Sequence, residues 1–110
     1  MINEKLTNRV RDLLKDIPKV TEKKMFSGIT FMVDDKMCIS AGNDRIMCRV
    51  DPDLHEQLIK KKGCTTVTMK NRSYKGYVYV NENSIPTKRD LRYWVNLCLD
   101  FNKKAKRSKK

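Results

Sequence analysis

The sequence is short of the residues that build most metal and cofactor sites. Histidine occurs once, as His55, and the glycines stand alone at positions 28, 42, 63 and 76. Scattered glycines make neither a dinucleotide fingerprint nor a phosphate loop, because both need them clustered in one turn. The cysteines, Cys38, Cys48, Cys64 and Cys98, include no C-x-x-C pair. Structural zinc sites usually take ligands in such close pairs. The turn carboxylates Asp34 and Asp35 do not make a cation cage by themselves. No stretch approaches the ~18 apolar residues of a membrane span. The start, Met1-Ile2-Asn3-Glu4-Lys5, is charged where a secretory signal would be apolar. No cofactor, no metal and no membrane are expected, and the expected location is the cytoplasm.

Acid is scarce as well. Lys and Arg number 25 against 13 Asp and Glu, a net charge of +12 over 110 residues. That excess favours acidic partners, such as nucleic acid, an anionic membrane surface or an acidic protein, without choosing among them. The length suits one domain. Four cysteines are an even number, so disulfides are formally open. Each, however, sits inside an apolar pattern, which predicts buried free thiols and a reducing compartment.

The spacing of Leu6, Val10, Leu13, Leu14 and Ile17 predicts an amphipathic helix stopped by Pro18. A β-meander follows. Met25-Phe26 closes an optional short strand, and strands are predicted over 29–33, 36–40 and 45–50. Asp34-Asp35 is a tight turn in which Asp35 costs something where glycine would be free, unless the loop is longer than two residues. Asp51, Pro52 and Asp53 open a short helix. Lys60, Lys61 and Lys62 are expected in its last turn, and Gly63 closes it in the left-handed region. Strands are expected over 64–70 and 76–80. Thr87 and Asp90 then cap a helix whose apolar stripe is Leu91, Trp94, Val95, Cys98 and Phe101. The order is α-βββ(β)-α-ββ-α. It predicts an α+β fold, an antiparallel sheet of about five strands with helices packed on one face.

His55 is expected to face solvent. No nucleophile is tied to it by a known local spacing, and a catalytic base needs an oriented partner. The chain is therefore expected not to be an enzyme.

The expected domain covers 1–102, with a basic disordered tail over 103–110. The tail holds Lys103, Lys104, Lys106, Arg107, Lys109 and Lys110, half of the +12 excess. Such a tail either contacts phosphates without reading sequence or is a solvated end. The run Lys75-Gly76-Tyr77-Val78-Tyr79-Val80 partly follows the RNA-recognition strand signature, with Val78 at the small position and Glu82 at the last aromatic one. Because the order of elements departs from that fold, the reading adopted is a strand with tyrosines on a half-exposed face. The adjacent pairs Phe31/Met32 and Ile46/Met47 put apolar residues on both sides of the sheet. One side would pack on helices and the other on a second subunit, giving a homodimer.

Several stretches together resemble one family. Glu22-Lys23-Lys24-Met25-Phe26-Ser27-Gly28 is similar to the EKKMFGG stretch of the TfoX/Sxy N-terminal domain. Phe31-Met32-Val33-Asp34-Asp35-Lys36-Met37-Cys38, then Lys75 to Val80, then Leu91, Trp94-Val95 and Phe101, continue the resemblance over roughly 1–102. Ser27 and Asp35 depart from it where the family usually has glycine. Longer members carry a second, helical domain, so a stand-alone N-terminal domain is expected. The resemblance implies a regulator: long relatives regulate natural competence, working with a cyclic-AMP receptor protein at promoters. It implies no catalytic residues.

The function expected is a non-enzymatic regulatory module that binds DNA or RNA weakly through phosphates. Lys103, Lys104, Lys106, Arg107, Lys109 and Lys110 would carry the binding, helped by Lys60, Lys61 and Lys62 if they face the same side. A transcription regulator protein is a further expected partner. The alternative is a homodimeric protein-interaction module with no direct role on nucleic acid.

Overall fold

The computed structural model describes residues 3–105. Lys106, Arg107, Lys109 and Lys110 lie outside the described residues. The elements run α1 (Glu4–Leu14), β1 (Val20–Met25), β2 (Gly28–Val33), β3 (Lys36–Ala41) and β4 (Arg45–Arg49). A 3-10 turn at Pro52–Leu54 leads into α2 (His55–Leu58), followed by β5 (Cys64–Met69) and β6 (Arg72–Asn81). A second 3-10 turn at Glu82–Ser84 precedes α3 (Lys88–Asn102). The strands form one antiparallel sheet in the order β1-β2-β3-β4-β6-β5. The α+β fold with helices on one face is as expected, with six strands rather than five because the optional first strand forms.

Hairpin geometry explains much of the sheet. Three turns reverse the chain in two residues, and none contains glycine. Phe26-Ser27 (φ 55 and 63), Asp34-Asp35 (53 and 63) and Lys70-Asn71 (51 and 66) all occupy the left-handed region. That geometry matches strand twist, but it strains any residue with a Cβ. The Asp34-Asp35 loop is thus a true two-residue turn. Relieving the strain gives a prediction: Ser27→Gly and Asp35→Gly should each stabilise the fold by about 0.5–1 kcal/mol. Thermal melting should show a rise of a few degrees for each; an unchanged or lower midpoint would mean that the turn strain is already offset.

One sheet face carries the main core. Phe31, Ile39, Ile46, Val78 and Val80 pack against Leu6 and Val10 of α1 and Leu91, Val95 and Cys98 of α3. Asn3 caps α1, its side chain accepting from the Leu6 N–H at 3.0 Å. The helix stops at Leu14, short of the turn before Pro18, because the chain tightens there: the Ile17 N–H reaches back only to the Leu14 carbonyl. The Thr87–Asp90 capping box forms as expected. At the other end of α3, buried Lys36 donates to the Asn102 carbonyl at 2.6 Å, and the Asn102 side chain donates to the Val33 carbonyl. These bonds fasten the helix terminus to the β2–β3 hairpin.

All four cysteines are buried and free. The hydrogen bond to Cys98, and then burial, push the Cys38 thiol up. Burial does the same to Cys98. Cys64, on the edge strand, is pushed up to about 11 by burial. A raised thiol pKa favours the folded state below the ordinary thiol value. Stability should therefore fall as pH climbs from about 9 towards 11, where the unfolded chain binds fewer protons. At neutral pH, alkylation of all four thiols should track global unfolding. Fast labelling of Cys64 in the folded chain would contradict this.

His55 corrects an expectation. It is 3% exposed rather than solvent-facing. Its Nδ1 accepts from the Gly76 N–H at 2.9 Å, so the ring proton sits on Nε2, 2.9 Å from Thr66 Oγ1. These bonds tie the first turn of α2 to β5 and β6, so the ring points inward.

Among the described residues, the opposite sheet face carries no helix. Met32, Met37, Met47 and Val67 are buried there, with Met69, Tyr74, Tyr77 and Tyr79 packed around them. Both faces are covered, as the adjacent apolar pairs suggest. On this face the cover comes from the chain's own tyrosines and methionines. Among the described residues the exposed large apolar side chains are Met25, Phe26 and Tyr93.

Candidate nucleic-acid interface

Basic residues converge where the segment after α2 meets the first half of α3. The last helical bond of α2 joins the Ile59 N–H to the His55 carbonyl, and the Lys61 N–H then closes a tighter turn onto Leu58. Lys60, Lys61 and Lys62 therefore lie beyond the helix, not in its last turn. Gly63 takes φ +79 and lies so close to Ser84 that an added Cβ would stand 1.9 Å from its Oγ. This contact sets the lysine turn against the Glu82–Ser84 turn.

The result is an open groove of about 510 Å³ lined by Lys61, Lys62, Ser84, Arg89, Asp90, Tyr93 and Trp94. Lys62 also borders a neighbouring concavity of about 480 Å³ with Gly63, Asn81, Asn83 and Ser84. The Lys61 ammonium sits 5.0 Å from the centre of the Tyr93 ring. Tyr93 in turn meets Trp94 edge-to-face at 5.3 Å. Among the described lining residues the one acid, Asp90, is engaged in the Thr87 cap. The groove thus offers three cations and a hydroxyl to an anion, with an aromatic wall.

Lys103 and Lys104 lie at the other end of α3. The helix puts about 20 Å between Arg89 and Asn102. Lys103 is exposed, while Lys104 pairs with Asp51 at 3.2 Å. The Asp53 backbone N–H, and then Lys104, hold the Asp51 carboxyl below the usual carboxylate range. The segment from Asp51 to Lys62 therefore runs back alongside α3. Lys103 and Lys104 thus stand at the opposite end of this seam from Lys61 and Lys62. Sequence reasoning missed Arg89 and Tyr93. Their i, i+4 spacing on the outer face of α3 is the signal that could have marked them.

No group of three or more histidine, cysteine or acidic side chains among the described residues is arranged to hold a metal. No helix among them is long and apolar enough to cross a membrane.

The described residues thus form an antiparallel sheet with helices on one face and a cationic groove at the rim. The family is defined by sequence: residues 12–102 match the TfoX N-terminal domain, and the chain belongs to that family. No curated protein and no solved structure matches it.

Proposed function

We propose that this chain is a non-enzymatic regulatory module that engages nucleic-acid phosphates through the seam between the Asp51–Lys62 segment and α3. The observation that carries the reading is the groove in which Lys61, Lys62 and Arg89 converge beside Tyr93. Each cation placed against a phosphate releases condensed counterions and adds affinity that salt weakens. Such contacts position a protein without reading bases. Family membership supports the regulatory part of the reading.

Lys103 and the tail basics Lys106, Arg107, Lys109 and Lys110 extend the seam in this proposal, and Lys60 flanks the groove. Lys104 contributes less, because its charge is shared with Asp51. A chain ending at Asn102 should lose affinity for labelled duplex DNA by roughly tenfold at low salt but keep measurable binding through the groove. Fluorescence anisotropy distinguishes the outcomes. Complete loss on truncation would move the binding to the tail, and no loss would make the tail a bystander.

A further inference from the structure

The helix-free sheet face has a chemistry that neither the groove nor the family assignment uses. The strand register places Lys23, Arg45, Arg49 and Arg72 on it, together with Tyr74, Tyr77 and Tyr79. The acidic residue of β1, Glu22, points to the other side, where it pairs with Arg11 of α1 at 2.7 Å. Among the described residues, no Asp or Glu occupies a strand position on the helix-free face.

One cation is stacked on its ring, and a second lies near another ring. The exposed Arg45 holds its guanidinium carbon 3.5 Å from the centre of the Tyr79 ring. Arg49, at the end of β4, lies equally far, 5.7 Å, from the ring centres of Tyr77 and of Phe101 of α3, and Tyr77 meets Tyr74 edge-to-face at 6.3 Å. Below them lies the buried Met32, Met37, Met47 and Val67 layer, which fixes the rings from beneath. Tyr77 and Tyr79 are two residues apart on one strand, about 7 Å.

We infer that this face is a stacking platform for single-stranded nucleic acid. Planar guanidinium and tyrosine surfaces suit unstacked bases, and the cations of the strands suit the phosphates between. A duplex hides its base faces and gains nothing from such a platform. The charge pattern also selects this occupant over a second copy of the chain, since two such faces would meet basic on basic.

The inference does not rest on the groove, which lies on the helix side of the sheet. The test uses the full chain with three labelled probes: a single-stranded oligouridylate of about 12 nucleotides, an abasic oligomer of the same charge, and a duplex. The oligouridylate should bind at least about tenfold more tightly than the abasic oligomer. Arg45→Ala and Tyr79→Ala should each remove most of that advantage and leave duplex binding unchanged. Tyr79→Phe should keep it, which guards against misfolding as the explanation. Glutamate substitutions at Lys61 and Lys62 should weaken the duplex and leave the advantage of bases over abasic sites intact. Equal binding of oligouridylate and abasic oligomer would overturn the inference. So would an unchanged advantage in folded Arg45→Ala, or sedimentation showing a dimer that buries Tyr77 and Tyr79.

Discussion

Replacing Lys61, Lys62 and Arg89 together by glutamate is expected to weaken duplex DNA binding by tens-fold to roughly a hundredfold at low salt. The magnitude follows from the geometry. These side chains border one groove from two elements, the turn after α2 and the first turn of α3. If each neutralises one phosphate, removing them flattens the dependence of log affinity on log salt by about 2.7. Reversal adds repulsion to the loss of contact. The variant should fold normally, because all three side chains are exposed and none belongs to the core. Far-ultraviolet circular dichroism and a melting curve check this alongside anisotropy. Retained affinity in a folded variant would remove the groove from the interface.

Replacing His55 by alanine is expected to cost about 2–4 kcal/mol, a large share of the stability of a domain this size. The ring bridges α2 to the sheet, receiving the Gly76 N–H on one nitrogen and meeting Thr66 on the other. Gly76 is buried at φ +91, where β6 departs from regular pairing with β5. Truncation leaves that N–H without a partner away from water and opens a cavity, and both penalties add. The loss should appear as a melting point lower by about eight degrees or more, by the usual scaling of about 4–8 °C per kcal/mol. His55→Gln, which can still accept one hydrogen bond, should recover part of it. A drop within a degree or two for alanine would mean that water replaces the ring.

Most of the fold was legible from the sequence, and the misses have physical causes. The strand positions around Phe31, Ile39, Ile46 and Val78 followed from β-branched and aromatic runs between turns. The α3 boundaries followed from Thr87 and Asp90 at the start and the end of the apolar pattern at Asn102. β6 begins earlier than expected, at Arg72, because Lys70 and Asn71 form the turn themselves and release Arg72 and Ser73 into the strand. Those residues look like loop by composition. His55 was misplaced because a lone polar residue in a short helix carries no periodicity that says which way it faces. Its partner, the Gly76 N–H, is 21 residues away.

The candidate site was legible only in part. The lysine run after α2 stood out by charge alone. That it meets Arg89 and Tyr93 depends on the Gly63–Ser84 contact and on the course of the Asp51–Lys62 segment, both of which are tertiary. The same holds for the stacking face. The tyrosines of β6 were visible as a strand motif, but their partner Arg45 comes from β4, paired through the register of Met47 with Tyr79.

The most direct test of the account is the salt dependence of duplex DNA affinity for the intact chain, followed from about 50 to 200 mM. Binding through the seam predicts a linear fall of log affinity with log salt, with a slope of about −3 or steeper, shared by unrelated sequences. A slope near zero, or no binding at the lowest salt, would contradict it.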